Sequence, residues 1–216
     1  MTSQNDFRNI CIVGNIASGK STLTQLLAQE IPDSIAVLES FERNPFLALY
    51  FQDPPRWAFT NAVRYFYDYV RVFTEQTASH AHKHHFIDAG AATNRYVYGR
   101  HMFQKGLVTP EEYAFYDILC DLIERALEYP QPDAFIFIQA SPQACYERMR
   151  ARAWGYQREI PLEYLDGLRG YFDAYQAMLK AAHVPLLQLD GDAITFTTPE
   201  GRACALQAVR AFLGET

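Results

Sequence analysis

Short apolar runs alternate with segments of helical periodicity along most of the chain. Apolar runs of about four to eight residues are typical of buried strands, and apolar residues repeating at i, i+3, i+4 and i+7 indicate helices. Strands that alternate with helices in this way predict a parallel α/β sheet with helices on both faces. The apolar runs occupy residues 10–13, 35–38, 86–88, 134–138 and 184–189.

A long helix is predicted from about residue 55 to residue 78, and its residues are apolar on almost every side. A helix of this kind is covered on more than one side, which predicts the core on one side and a subunit partner on another. Two arginines of its polar stripe can pair with acids four residues later. The stripe is either a solvated face or part of a substrate pocket. Its members are Asn61, Arg64, Asp68, Arg71 and Glu75.

The segment between the first apolar run and the first helix has the pattern G-x-x-x-x-G-K-[ST] of a phosphate-binding loop (P-loop). Its backbone N–H groups curl around a polyphosphate, Lys20 reaches the β- and γ-phosphates, and the Ser21 hydroxyl holds Mg²⁺. The strand before it and the helix after it argue against a chance glycine-rich turn. The candidate nucleotide-binding residues here are Gly14, Asn15, Ile16, Ala17, Ser18, Gly19, Lys20, Ser21 and Thr22.

Two carboxylates follow predicted strands. Ligands of open parallel sheets bind outside the carboxyl ends of the strands, so Glu39 and Asp88 are expected to face the nucleotide. Glu39 can accept a proton from an attacking hydroxyl, and Asp88 suits the Mg²⁺ side. The alternatives are a surface loop for Glu39 and a turn or helix cap before Gly90 for Asp88.

Arg148, Arg150 and Arg152 cluster just before a helix break at residues 154–155. Arginine forks match phosphate oxygens and stabilise developing charge, so the cluster is either a mobile lid over the phosphates, at about residues 148–160, or an ordinary solvated helix end.

The chain of 216 residues is expected to form a single domain, residues 1–216. Its formal charge of −6 argues against broad nucleic-acid binding, which needs a basic surface. Neither a signal-peptide pattern nor a long apolar span is found, so we expect a cytoplasmic protein without a membrane partner. The histidine-rich segment 79–85 has no carboxylate or cysteine beside it to complete a metal site, which favours a solvated loop.

The order of these motifs resembles that of the deoxynucleoside kinase family, especially its bacterial deoxyadenosine/deoxyguanosine kinase branch, from about residue 9 to residue 192. Asn-Pro-Phe-Leu at 44–47, Asp53-Pro54 leading to Trp57-Ala58-Phe59, Asn-Arg-Tyr at 94–96, the segment 146–152 and Leu-Glu-Tyr-Leu at 162–165 add to the resemblance. The family implies a P-loop NTPase fold with a five-stranded parallel sheet, an arginine-rich lid and a homodimer built on long helices. It also implies transfer of the γ-phosphoryl group of ATP to a nucleoside 5′-hydroxyl.

By resemblance, Glu39 matches the general base, and Asp88 matches the acid of an Asp/Glu-Arg-Ser motif on the Mg²⁺ side. Trp57 matches an aromatic wall of the nucleoside pocket, and Tyr98 lies where an aromatic ring stacks on the base. The candidate catalytic residues are therefore Lys20, Glu39 and Arg152. The candidate substrate-binding residues are Glu39, Phe51, Trp57, Ala62, Arg64, Asn94, Arg95 and Tyr98.

The acceptor side departs from the family pattern while the donor side keeps it. Ala89 stands where the motif has arginine, Ala62 where a glutamine pairs with the base, and Phe51 where a tyrosine meets the sugar. Losing a polar partner of a substrate costs discrimination, which disfavours an ordinary deoxyribonucleoside as acceptor. Arg64, two residues after Ala62, is a hypothetical source of the missing positive charge.

Three functions are compatible with these motifs. The first is a kinase for a nucleoside or nucleoside-like alcohol, with ATP and Mg²⁺. The second is a nucleoside-monophosphate kinase, which needs an acceptor-phosphate site, and the third is a nucleotide-binding subunit without catalysis, suggested by the lost arginine. A GTPase switch is disfavoured because no Asn-Lys-x-Asp motif occurs.

Overall fold

The computed structural model describes residues 7–38, 44–78, 84–152 and 160–214. Five parallel strands in this part of the chain form one sheet in the order β2-β3-β1-β4-β5. This arrangement confirms the α/β fold with a five-stranded parallel sheet. The strands are β1 (Asn9–Gly14), β2 (Ser34–Val37), β3 (His84–Asp88), β4 (Ala134–Gln139) and β5 (Leu186–Asp190).

Helices cover both faces of the sheet. Nine α-helices lie in the described residues, and a π-helical turn, Asn94–Gly99, joins the fourth to the fifth. The α-helices are α1 (Lys20–Glu30), α2 (Leu47–Gln52), α3 (Pro54–Ala78), α4 (Gly90–Thr93), α5 (Arg100–Gln104), α6 (Pro110–Ala126), α7 (Pro142–Arg152), α8 (Leu162–Ala181) and α9 (Pro199–Leu213).

The central strand β1 is buried along its whole length, and its side chains alternate between two cores. Ile10 and Ile12 pack with residues of α1 and α9 on one face. Cys11 and Val13 pack with residues of α8 on the other face. This period of two is the normal geometry of a strand with helices on both sides, and it explains why the run reads as continuously apolar.

Helix α3 begins one residue before its predicted start and ends at the predicted residue, Ala78. The predicted pairs form, with Arg64 Nε 2.6 Å from an Asp68 oxygen and an Arg71 nitrogen 2.8 Å from a Glu75 oxygen. The polar stripe is not uniform, because Asn61 and Asp68 are buried whereas Glu75 is exposed.

Helix α6 begins with a capping box, in which Thr109 is the N-cap and Glu112 stands three residues later. The Thr109 hydroxyl accepts from the Glu112 N–H at 3.1 Å, and the Glu112 carboxylate accepts from the Thr109 N–H at 2.8 Å. Phe115, Ile118 and Leu122 lie at i, i+3 and i+7 and are 51%, 55% and 52% exposed. The helix therefore presents an apolar face to the outside of this chain.

Two residues of the histidine-rich segment, His84 and His85, lie in β3. Their Nδ1 atoms are hydrogen-bonded to the Phe7 carbonyl at 2.6 Å and to the Asn9 side chain at 2.8 Å. Residues 79–83 fall outside the described ranges. Within the described ranges no group of three histidine, cysteine or acidic side chains could hold a metal ion. A membrane-spanning helix is likewise not found among them.

Candidate active site

The P-loop lies where β1 ends and α1 begins, at the carboxyl edge of the sheet. Ile12 of β1 pairs with Asp88, the last residue of β3, so both strands end beside the loop. A Cβ at Gly14 would lie 2.7 Å from Ser18 Oγ and 2.8 Å from the Ile138 carbonyl oxygen. Gly19 has a φ of 107°, which few other residues adopt. The two glycines of the motif are thus required by space and by backbone geometry.

The loop is held by its own residues and by α8. Lys20 Nζ donates to the Asn15 carbonyl oxygen at 2.9 Å, across the turn of the loop. The Asn15 side chain accepts from the Ile16 N–H and donates to the Leu165 carbonyl oxygen, both at 2.8 Å. These contacts hold the loop in shape without occupying the N–H groups at the start of α1.

Ser21 and Asp88 are in direct contact. The Ser21 hydroxyl donates to Asp88 Oδ2 at 2.5 Å, and Asp88 is only 3% exposed. The second carboxylate oxygen, Oδ1, is buried and has no hydrogen-bond partner among the described residues. Burial raises the pKa of the Asp88 carboxyl, while Lys20, the Ser21 hydroxyl and Arg152 act in the opposite direction. A hydroxyl beside a carboxylate with a free oxygen fits Mg²⁺, which binds through one or two protein oxygens and substrate phosphates.

The three arginines of α7 lie in different places. Arg148 donates to the Gly191 carbonyl oxygen at 2.7 Å and to the Ser18 carbonyl oxygen at 3.5 Å, so it borders the phosphate loop. Arg152 lines the same cavity as Lys20. Arg150 is exposed, and its guanidinium lies 5.9 Å from the centre of the Tyr146 ring.

A cavity of about 500 Å³ extends from the phosphate loop into a largely aromatic chamber. Its volume is in the range of small-molecule sites. Of the predicted residues it contains Ile16, Ala17, Lys20, Ser21, Thr22, Phe51, Ala62, Asp88, Asn94, Tyr98 and Arg152. The wall also contains residues that are not among the predicted site residues, namely Gln25, Leu47, Tyr50, Asn61, Tyr65, Tyr69, Ala89, Met102, Ile160 and Tyr164.

A sequence signal existed for part of the missed wall. Asn61, Tyr65 and Tyr69 recur every four residues, so they share one face of α3 next to Ala62. Asn61 was expected in the polar stripe but was not selected as a binding residue. Tyr164 and Met102 come from α8 and α5, and local periodicity gives no means of placing them in this chamber.

Two predicted acceptor-site residues of α3, Trp57 and Arg64, do not line the cavity. The Trp57 ring stacks on Phe46 with 5.8 Å between ring centres, and the Arg56 guanidinium lies over its ring. Arg64 is engaged by Asp68 on the next turn of the same helix. The replacement of the missing motif arginine by Arg64 therefore gains no support from its position.

Arg95 lies outside the lining as well, because two acids of α6 hold its side chain. Its Nε is 2.9 Å from an Asp117 oxygen, and its Nη1 is 2.7 Å from an Asp121 oxygen. The neighbouring Asn94, in contrast, lies in the wall of the cavity. The π-helical turn therefore separates two adjacent residues that are both predicted to bind the substrate.

The predicted general base, Glu39, and residues 153–159 of the predicted lid lie outside the described residues. The catalytic role of Glu39 and the lid therefore stay predictions. The described part of β2 ends at Val37, which pairs with Ile87. Leu38 lines a small cavity together with Asp88, so β2 leads toward the carboxylate edge of the site.

The phosphate loop, the buried carboxylate beside it and the adjoining cavity define a nucleotide-dependent phosphotransferase. The family model for deoxynucleoside kinase matches residues 10–212. The chain belongs to the deoxynucleoside kinase family, and it is an ATP-dependent kinase.

Relatives of this chain are similar over most of their length but at low identity. Deoxycytidine kinase 2 of Gallus gallus is 26% identical over 220 residues, covering 87% of this chain and 83% of that protein. Deoxyguanosine kinase of Lactobacillus johnsonii is 26% identical over 204 residues, covering 88% and 85%. Mitochondrial thymidine kinase 2 of Homo sapiens is 22% identical over 190 residues, covering 85% and 70%. Three different nucleosides appear in these names, so the names do not select one acceptor.

Proposed function

We propose that the protein transfers the γ-phosphoryl group of ATP to a hydroxyl group of a nucleoside or nucleoside-like alcohol. The observation that carries this proposal is the continuity of the cavity, which joins Lys20, Ser21 and Asp88 at one end to an aromatic chamber at the other. Aromatic walls suit a planar base, and a polar end suits the phosphates. The names of the similar proteins support a nucleoside as acceptor.

Positioning and electrostatic stabilisation are the main contributions that we assign to this site. Lys20 binds the phosphates of ATP and neutralises their charge, and Arg152 faces the same space from the end of α7. Arg148 borders the loop through the Ser18 carbonyl oxygen and completes the positive rim.

Ser21 and Asp88 are the residues that would hold Mg²⁺. Their support is the free oxygen of the buried Asp88 carboxylate and the adjoining Ser21 hydroxyl. The ion, when bound, neutralises charge on the β- and γ-phosphate oxygens.

Glu39 is our proposed general base, and residues 148–160 are our proposed lid. The base assignment rests on the resemblance and on the course of β2, which brings Leu38 to the wall of a cavity that also contains Asp88. The lid proposal rests on the positions of Arg148 and Arg152 at the rim. Closure of such a lid would exclude water from the transferred group.

We further propose a homodimer. Three of the five large hydrophobic side chains exposed in the described ranges lie on one face of α6. A face of this kind marks an interaction surface in a folded protein. The same face continues onto α3, where the Phe59 ring stacks on Phe115 at 6.2 Å.

The proposed function is tested by incubating the full chain with Mg-ATP and a panel of nucleosides, nucleoside monophosphates and sugars. Mass spectrometry of the products should show one added phosphate on a nucleoside and none on a monophosphate. Lys20→Met should lower the rate at least about 100-fold, the usual effect of losing a group that stabilises developing charge. Lys180→Met, an exposed change in the last turn of α8, is the matched control. A phosphorylated monophosphate, or turnover that survives Lys20→Met, would contradict the proposal.

A further inference from the structure

Asn61 is a buried amide in the wall of the acceptor chamber. It lies in the second turn of α3, is 6% exposed, and lines the cavity beside Ala62 and Tyr65. The chamber around it is mostly aromatic and aliphatic, so a polar group there contributes selectivity to whatever binds. The end of the amide that faces the cavity decides which chemical groups it favours.

The orientation of this amide is set through a second buried asparagine. The Phe46 N–H lies 2.9 Å from Asn44 Oδ1, and because a backbone N–H can only donate, the atom facing it must be the oxygen. Asn44 therefore turns its amino group the other way, where Nδ2 donates to Asn61 Oδ1 at 2.9 Å. The Asn61 oxygen is used in this contact.

The amino group of Asn61 is the other end of this amide. No described residue accepts a hydrogen bond from it. Asn94 is a second buried amide in the cavity wall, and its side chain makes no hydrogen bond to a described residue, so it can present either end. The orientation of the Asn61 amide is therefore fixed by Asn44 before a ligand enters. The group that it presents to a ligand is its amino group, a hydrogen-bond donor.

We propose that Asn61 selects the phosphoryl acceptor by donating a hydrogen bond to a carbonyl oxygen of its base. This inference rests on the proposed function and specifies its substrate class as nucleosides with an oxo group where competing nucleosides carry an amino group. An amino group at that place would meet the Asn61 amino group, and both donors would be left buried and unpaired. Asn44 acts through Asn61 and is a positioning residue.

The first test uses matched nucleosides that differ in this group and in the proton on the ring nitrogen next to it. Deoxyuridine is compared with deoxycytidine, and deoxyinosine with deoxyadenosine, by calorimetric binding to the full chain and by phosphorylation with Mg-ATP. We expect the oxo member to bind at least about tenfold more tightly in at least one pair. Asn61→Leu, which keeps the volume and removes the donor, should reduce that ratio to within about twofold by weakening the oxo member.

The second test reverses the preference without touching the cavity wall. In Asn44→Asp, both carboxylate oxygens accept, one from the Phe46 N–H and the other from the Asn61 amino group. Asn61 then turns its carbonyl oxygen to the cavity, and the amino member of the pair should bind more tightly than the oxo member. Asn44→Leu removes the constraint on Asn61, and it should lower the ratio without reversing it. ATP affinity and the melting temperature of each variant verify that the donor site and the fold are intact.

The outcomes separate this inference from the proposed function. Binding ratios that stay the same in Asn61→Leu and in Asn44→Asp, with ATP affinity intact, would overturn the selection by Asn61 and leave the kinase proposal standing. Selective binding without phosphorylation of any of the four nucleosides would overturn the kinase proposal and retain the selection. If none of the four nucleosides binds while another member of the wider acceptor panel is phosphorylated, the selection by Asn61 is wrong and the kinase proposal stands.

Discussion

At the residue scale, Asp88 is a carboxylate whose burial destabilises the folded protein. Its carboxylate is almost fully buried, and burial raises its pKa because the ionised form loses hydration. Replacing it with asparagine keeps the shape and still accepts from the Ser21 hydroxyl. We therefore expect Asp88→Asn to lower phosphoryl transfer at least about 100-fold while the melting temperature stays level or rises.

The measurement combines steady-state kinetics with thermal unfolding of the same preparation. Asp166→Asn, on the exposed surface of α8, is the control because the ion pair of its carboxylate within the described ranges is with the exposed Arg169, at 3.5 Å. A normal rate in Asp88→Asn would remove this residue from the catalytic site. A large fall in melting temperature would instead show that the Asp88 carboxylate stabilises the fold.

His101 should make stability depend on pH below neutrality. The residue is 4% exposed and packs edge-on against Tyr164 and Tyr171 at 5.1 and 5.6 Å. Burial, aided by Lys105, lowers its pKa from 6.5. Between the folded and the unfolded pKa values, the unfolded chain binds more protons than the folded chain. The contribution of neutral His101 to stability is therefore full above pH 6.5 and decreases as the pH falls below that value.

His101→Phe keeps the aromatic packing and removes this titration. The variant should show a flatter melting temperature between pH 7 and pH 5, and the wild-type slope it removes is at most about 1.4 kcal/mol per pH unit. His183→Asn is the control, since His183 is exposed and asparagine tolerates its φ of 56°. Equal slopes in the wild type and His101→Phe would show that another group is responsible.

At the element scale, Arg95 connects the π-helical turn to α6 through Asp117 and Asp121. Arg95→Met should lower the melting temperature by about 2–4 °C, a modest change because both carboxylates are partly exposed and screened by solvent. The KM for the acceptor should stay within about twofold, since the side chain does not line the cavity.

Arg125→Met provides the comparison, because this arginine of α6 is 76% exposed and its ion pair with the Asp121 carboxylate is 3.9 Å long. Its Nε donates at 3.1 Å to the Asp121 carbonyl oxygen, a contact on the exposed surface within the same helix. It should leave the melting temperature almost unchanged. A tenfold rise of the acceptor KM in Arg95→Met, with little loss of stability, would restore the substrate-binding role that the sequence pattern suggested.

The same elements explain how far sequence reasoning reaches. The strands, α3 and the capping box of α6 follow from local periodicity and local hydrogen bonds. Each of these signals lies within one short segment of the sequence. The places of Trp57, Arg64 and Arg95 depend on which neighbour their long side chains meet. Helical spacing predicts Asp68 as the partner of Arg64. No spacing rule identifies Phe46 as the neighbour of Trp57, or two acids of α6 as the partners of Arg95.

At the scale of the whole molecule, the donor half of the site could be predicted almost as a unit, whereas the acceptor half could be predicted only in part, through Phe51, Ala62, Asn94 and Tyr98. The phosphate loop is one continuous segment with a fixed geometry, so its residues appear together in sequence and in space. The acceptor chamber is assembled from α2, α3, the π-helical turn, α5 and α8. The contact that we propose to set its selectivity, Asn44 to Asn61, joins residues 17 positions apart, and only the tertiary structure defines the direction of these amides.

The outer face of α6 gives the last prediction. Phe115, Ile118 and Leu122 are more than half exposed, although large apolar side chains are normally withdrawn from water. If two copies cover this face, Ile118→Lys places a charge in the middle of a dry interface and should raise the dimer dissociation constant at least about 100-fold.

Light scattering after size-exclusion chromatography, over a dilution series, measures the mass of each variant. Met178→Lys is the matched control, because Met178 is 40% exposed and lies on α8 rather than on the α6 face. We expect the control to keep the mass of a dimer, whereas Ile118→Lys should elute with the mass of a monomer. Since Ile118 is exposed in the single chain, the substitution should leave the monomer fold intact. A wild-type protein that is already monomeric would contradict the homodimer.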